Sequence, residues 1–266
     1  MQALIAPLFV PASRPDRFEK AAISGADAVI IDLEDAVPPN LKEEARENLR
    51  FAHDLRSAVY VRCNAEGTPW RDADISAMAA LGLKRLCAPK IESARSIDVV
   101  AHRLGDGLEI LAQIETARGV EHAGAIAAHR LVSQLAFGPA DFFFDLGVAP
   151  SAVLTQHVLC RLAIASRAAG KALPLDGPSF VIHDPLALKL DCERALAAGA
   201  GGKLCIHPSQ TAAVIEQFMP SAAEVAWAQR VAAADVEGAA QVVDGQMIDA
   251  PIVARARSIL QRRGRG

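Results

Sequence analysis

Residues 28–35 read AVIIDLED: four apolar residues in an unbroken row, then Asp32, Glu34 and Asp35 set around a single leucine. An unbroken apolar run, rather than an alternating one, marks a strand covered on both faces, as in a parallel sheet. The stretch that follows reads as a helix. Asn40 precedes LKEEARENLRFAHDLR (41–56) as an N-cap, with glutamates early and arginine late, the order the helix macrodipole favours. The same unit recurs, with apolar runs at LIAPLFV (4–10), AVYVRCN (58–64), RLCAPKIE (85–92), EILAQIE (109–115), QLAFGPAD (134–141), ALPLDGP (172–178) and KLCIHP (203–208). Eight strand-plus-helix units predict an α/β fold, a closed (β/α)8 TIM barrel, over an open doubly wound sheet. No G-x-G-x-x-G follows the first run, which counts against a dinucleotide-binding sheet. The glycines between 199 and 202 instead close a helix expected in DPLALKLDCERALAAGAGG (184–202), which opens on Asp184 and Pro185.

The repeats account for residues 1–220 as a catalytic barrel. Beyond Pro220, SAAEVAWAQRVAAADVEG (221–238) predicts a further helix, and AQVVDGQMIDAPIVARARSILQRR (240–263) a short strand-turn leading into a terminal helix. This extension, 221–266, has no place in the eightfold pattern and reads as a lid or as an arm exchanged with a neighbouring subunit.

A chain of 266 residues, 52% of them apolar, buries a large core without staples. Its 28 basic and 31 acidic residues leave a formal charge of −3, not the basic footprint of a nucleic-acid or membrane-surface protein, so neither partner is expected. Five cysteines without a C-x-x-C pair indicate a reducing compartment, with no disulfide framework and no zinc ribbon. No apolar run approaches the ~20 residues a bilayer span needs. LIAPLFVPA (4–12) lacks a basic leader and carries two prolines, so it reads as a buried strand rather than a signal segment. The expected location is the cytoplasm.

In a TIM barrel the strand ends and the loops after them form the active face. The polar residues of the apolar runs gather there: Asp32, Glu34 and Asp35, then Arg62 and Asn64, Lys90 and Glu92, Glu115, Asp141, Asp176 and His207. One such residue merely marks where a strand surfaces; a set of them puts several charges on one rim. Carboxylates in number, with few histidines and no cysteine ligand, suit a hard cation such as magnesium. Glu115 and Asp141 end adjacent strands and so can reach one ion. Gly138-Pro139 before Asp141 would let a ligand approach the backbone. His207 reads as a strand-end histidine setting its loop, and Lys90 as an ion-pair partner rather than a Schiff-base amine. Cys63, Cys87 and Cys205 read as packing residues.

The ordered motifs LFVPASRPDRFEKA, DAVIIDLEDAVPPNLKEEAR, VRCN, APKIE, IETARG, GPADFFFDLG and GGKLCIHPSQ, with PSAAEVAWA and DGQMIDAP in the tail, resemble the citrate lyase beta-subunit-like branch of the HpcH/HpaI aldolases, a group of CoA-ester lyases. The resemblance spans essentially the whole chain. It implies a Mg2+-dependent TIM barrel, homo-oligomeric as trimer or hexamer, that breaks or forms a carbon–carbon bond beside a thioester. By motif, Glu115 and Asp141 match metal ligands, and Arg62 matches the arginine facing the thioester enolate. Phe9, Arg14 and Lys20 match positions lining the CoA site. Asp249 matches a tail aspartate serving as acid/base, typically in a neighbour's site. Asp35 stands where the pyruvate-aldolase branch carries a histidine, which favours the thioester branch.

The expected activity is therefore cleavage of a 3-hydroxy-3-carboxyacyl thioester of malyl-CoA or citramalyl-CoA type, on CoA or an acyl carrier, into an acyl thioester and a 2-oxoacid. Arg62 and Asp249 carry the chemistry, with Glu34 and Asp35 orienting groups around the metal. The alternatives are a free-pyruvate aldolase, a thioester-hydrolysing synthase, or a beta-like subunit active only within a larger complex.

Overall fold

The computed structural model describes residues 3–234, 241–243 and 246–263, the side chains of 241–247 excepted. The chain divides into two compact units, Met1–Ile215 and Glu216–Gly266. In the first, eight parallel strands follow one another in sequence order: β1 (Leu8–Pro11), β2 (Val29–Asp32), β3 (Val59–Arg62), β4 (Arg85–Ala88), β5 (Glu109–Ile114), β6 (Val132–Phe137), β7 (Leu175–Asp176) and β8 (Gly202–Lys203). Backbone bonds from Lys203 to Ile5, from Cys205 to Pro7 and from Phe9 to Cys205 join the last strand to the first, so the sheet closes as a TIM-type barrel. The helices alternate with the strands: α1 (Phe18–Ala22), α2 (Lys42–Glu47), α3 (Arg71–Ala80), α4 (Ala94–Leu104), α5 (Ala117–Glu121), α6 (Ala123–Ala128), α7 (Pro139–Leu146), α8 (Ala152–Ala168), α9 (Pro185–Ala197) and α10 (Pro208–Phe218).

The barrel interior is filled from all eight strands or their extensions, β2 giving two residues: Leu4, Ala28, Ile30, Tyr60, Cys87, Leu111, Ala136, Leu175 and Leu204 form a continuous buried cluster. Because side chains alternate across a strand, residues two positions further on point into the same interior one layer higher. On β2, β3 and β5 these are Asp32, Arg62 and Gln113, so the apolar layer is the floor of a polar one.

Local structure departs from expectation in one stretch. The helix expected over 41–56 is α-helical only in α2; Pro39–Leu41 precede it and Asn48–Asp54 follow it as 3-10 turns. Asn40 caps nothing: Pro38 and Pro39 start the turn, and no side chain caps α2. Asn48 reaches the Ala12 carbonyl with its side chain (3.0 Å) where the geometry changes. Asp184, by contrast, caps α9 through the Ala187 N–H at 3.0 Å, and Gly199 beyond its end adopts φ +89°.

In the second unit α11 (Ala222–Ala234) opens with a capping box, Ser221 and Glu224 each accepting from the other's backbone N–H. Strands β9 (Gln241–Val243) and β10 (Gln246–Ile248) pair antiparallel and lead to α12 (Ala250–Arg263). Val225, Ala228 and Val231 of α11 pack with Val253, Ala256 and Ile259 of α12 in a core of its own. Asp244 and Gly245, in the expected turn, lie outside the described residues. No helix among the described residues is long and apolar enough to cross a membrane.

Candidate active site

Asp32 and Arg62 are register partners at the ends of β2 and β3. The Asp32 carboxylate takes Arg62 Nε at 2.7 Å and Nη2 at 2.6 Å, a bidentate fork, and also accepts the Glu34 and Ala36 N–H groups. The guanidinium lies over the Phe9 ring at 4.7 Å. Its remaining nitrogen faces Glu34 at 3.2 Å and Asp35 at 3.5 Å. Burial alone would lower the Arg62 pKa, but Asp32 and Glu34 together raise it well above its ordinary value. The charge is fixed, with Asp32, Glu34 and Asp35 along its edges and Phe9 against its face.

A second cation completes the rim. Lys90 Nζ lies 3.0 Å from Glu34 Oε1, 3.3 Å from Asp141 Oδ1 and 3.8 Å from Glu115 Oε2. Its own N–H donates to Glu115 Oε2 at 2.9 Å. Lys90 is the one non-glycine residue with positive φ (+50°) among the described residues, a left-handed conformation unfavourable to a long side chain. Glu115 is buried at the end of β5, its other oxygen 3.3 Å from Gln113 Nε2. Burial, reinforced by Glu34 and opposed by Lys90, pushes its carboxyl up to about 8. Burial likewise raises Glu34, against the pull of Arg62. Asp141 sits in the first turn of α7, its side chain about one-third exposed.

Glycine 138, just before α7, serves this arrangement directly. A Cβ there would lie 2.4 Å from Glu115 Oε1 and 2.5 Å from its Cγ. What approaches the backbone so closely is the Glu115 carboxylate itself, rather than a ligand.

The residues present fit a magnesium ion. Among the described residues five carboxylates (Asp32, Glu34, Asp35, Glu115 and Asp141) form ion pairs with two cations, Arg62 and Lys90, and the buried Glu34 Oε2, 3.2 Å from Arg62 Nη1, accepts no hydrogen bond. Such an oxygen-rich, negatively charged site suits a hard cation. Among the described residues no three His, Cys, Asp or Glu side chains already close around one point. An ion taking one or two carboxylates and filling its octahedron with water and substrate matches that set.

Other expected rim residues stand elsewhere. Asp176 pairs with its register neighbour Lys203, both buried, because Leu175 takes the interior position and turns Asp176 outward. Glu92 pairs with exposed Arg118 at 3.6 Å, which thus bridges neither Glu115 nor Asp141. His207 hydrogen-bonds Ser209 in the first turn of α10. Arg14 forms an exposed fork with Asp16, and Lys20 is exposed on α1. Asp249, in the second unit, is exposed and caps α12 through the Ile252 N–H at 3.1 Å. Cys63, Cys87 and Cys205 are buried, and burial pushes the Cys63 and Cys205 thiols up to about 12, which removes them as nucleophiles.

One residue escaped the sequence reading. Lys42 is buried at the start of α2, and its ammonium donates to the Leu33 and Glu34 carbonyls and to Asn64 Oδ1 at 2.6–2.7 Å. It ties the loop after β2 to the loop after β3, and so fixes Glu34 relative to Arg62. The signal was its spacing: Lys42, Ala45 and Leu49 fall on one helical face, and all three are buried.

The chain matches the HpcH/HpaI aldolase/citrate lyase family over residues 6–208. It is 37% identical over 265 residues to a citrate lyase subunit beta-like protein of Mycobacterium tuberculosis, covering 97% of this chain and 94% of that one. It is 34% identical over 268 residues to a (3S)-malyl-CoA thioesterase of Cereibacter sphaeroides, covering 96% and 93%. The structure of CitE from Mycobacterium tuberculosis in complex with magnesium, acetoacetate and coenzyme A superposes with a TM-score of 0.86 at 35% identity, covering 99% of this chain and all of that one. The chain belongs to the HpcH/HpaI aldolase/citrate lyase family.

Proposed function

We propose that this protein is a magnesium-dependent CoA-ester lyase that cleaves a 3-hydroxy-3-carboxyacyl-CoA of malyl-CoA or citramalyl-CoA type into an acyl-CoA and a 2-oxoacid. The observation that carries the reading is the convergence of a desolvated, doubly anchored arginine with a carboxylate pair on the barrel's active face. Magnesium held by Glu115 and Asp141 would supply Lewis-acid polarisation of the substrate's hydroxyl and carboxylate. Arg62 faces the thioester oxygen. As the carbon–carbon bond breaks, its electron pair passes into the thioester enolate, whose oxygen gathers charge beside the guanidinium. Because Asp32 and Phe9 already hold that guanidinium, it needs no reorganisation when the charge develops. Glu34 and Asp35 orient the groups around it, and the hydroxyl proton passes to the carboxylate cluster.

Asp249, exposed in the second unit, is assigned the proton that the enolate carbon takes up; in the condensing direction it removes one. Phe9, Arg14 and Lys20 are assigned to the CoA moiety, the two cations meeting its phosphates. The working form is a cytoplasmic homo-oligomer in which the extension serves a neighbour's site. Binding of CoA by the related CitE supports CoA rather than an acyl carrier as the thiol. The malyl-CoA thioesterase among the relatives supports a second reading, hydrolysis of the same thioester. Incubating the purified chain and magnesium with a panel of hydroxyacyl-CoA esters, followed by mass spectrometry, separates the two. A lyase yields a shortened acyl-CoA, whereas a thioesterase yields free CoA and the intact hydroxyacid.

A further inference from the structure

The ammonium of Lys90 lies among the carboxylates assigned above to the metal. It is within 4 Å of three carboxylates on three different elements: Glu34 after β2, Glu115 at the end of β5 and Asp141 in α7. The backbone is committed to this position. The Lys90 N–H is bonded to the same Glu115 whose oxygen faces its side chain, and the residue accepts φ +50° to do so. The side chain is nevertheless about one-third exposed, so it has an open route out toward solvent while the backbone stays in place.

We propose that Lys90 is an internal cation competing with the divalent ion for Glu34, Glu115 and Asp141, and that magnesium binding is coupled to release of its ammonium from the cluster. The inference rests on the assignment of Glu115 and Asp141 as metal ligands. The two cations compete for the same carboxylates: an ion held at ~2.1 Å from their oxygens takes up their negative charge and repels an ammonium a few ångströms away. Lys90 therefore neutralises the carboxylates when the metal is absent and lowers apparent metal affinity in proportion to the time it spends among them. The released ammonium, tethered beside the ion, adds positive charge where an anionic substrate arrives. Lys90 is thus a residue that sets metal affinity, not a nucleophile.

The test needs no turnover. Calorimetric titration with magnesium chloride compares the wild-type chain with Lys90→Met, which keeps the length and removes the charge, and with Lys90→Arg, which keeps the charge. If the ammonium holds the cluster nine-tenths of the time, Lys90→Met tightens magnesium binding about tenfold, while Lys90→Arg does not tighten it. Acylation of amines in the wild-type chain, read by peptide mass spectrometry, distinguishes release from simple charge repulsion. Saturating magnesium raises labelling of Lys90 about tenfold on the same competition, and buried Lys42 stays unlabelled. Magnesium binding to the wild type with no tightening in Lys90→Met, or no rise in Lys90 labelling, overturns the inference and leaves the lyase reading intact. Absence of magnesium binding in wild type and Lys90→Met alike overturns both.

Discussion

Gly138 and Glu115 are complementary: the hydrogen-sized side of one is filled by the carboxylate of the other, so closely that a methyl group at 138 would overlap Glu115 Cγ and Oε1. The contact explains why a glycine stands between β6 and α7. It also fixes where the buried carboxylate points. Gly138→Ala should therefore displace Glu115 without emptying the core. We expect magnesium affinity to fall about tenfold or more, ~1.4 kcal/mol, with an unchanged circular-dichroism spectrum. Unaltered affinity by calorimetry would remove Glu115 from the ion's coordination.

Arg62 is held for the transition state, so Arg62→Lys should lower kcat far more than it raises KM. The loss should approach the roughly 100- to 1,000-fold typical of one missing oxyanion donor, because lysine keeps the charge but loses the fork that binds Asp32. Steady-state kinetics decide it. A change confined to KM would put Arg62 in ground-state binding.

Glu115 also sets the pH dependence. Its carboxyl titrates near 8 when folded, mainly through burial, against about 4.3 in an unfolded chain. Between those values the folded, metal-free protein binds a proton that the unfolded chain does not, so stability falls as pH rises through this window and levels off above 8. Metal binding requires the ionised form and expels that proton. Apparent magnesium affinity should climb from pH 6 to 8 and then flatten, and the thermal shift produced by magnesium should grow with it. Affinity independent of pH over this range would show that Glu115 is ionised without the metal.

Much of this site was legible in the sequence because charged residues closing unbroken apolar runs have few places to go but the barrel rim. Asp32, Glu34, Arg62, Glu115 and Asp141 follow that rule. Asp176 breaks it for a reason invisible in a two-residue strand. The parity of β7 is set by Leu175, which fills the interior, and its neighbour then faces Lys203 on the outside. Lys42 was hidden for the opposite reason. A lysine in a charged helical stretch reads as surface; its spacing with Ala45 and Leu49 hints otherwise, but the carbonyls, Asn64 and the Trp70 ring that surround the ammonium come from distant parts of the chain.

Asp249 sits in a unit with a core of its own, which makes its role separable from the barrel's folding. Asp249→Asn should leave magnesium binding unchanged and abolish turnover. Mixed oligomers of inactive Asp249→Asn and inactive Glu115→Ala should regain activity, because some sites then combine both native residues. No recovery in verified mixed oligomers would confine Asp249 to its own barrel or to no catalytic role.

The most direct measurement is a product balance on the purified chain with malyl-CoA and citramalyl-CoA, in magnesium and then in excess EDTA. Acyl-CoA and 2-oxoacid should appear in equal amounts from at least one substrate, cease on chelation, return when magnesium is restored, and be absent for Glu115→Ala. Free CoA and intact hydroxyacid in place of these products, or undiminished turnover in EDTA, would contradict a magnesium-dependent carbon–carbon cleavage.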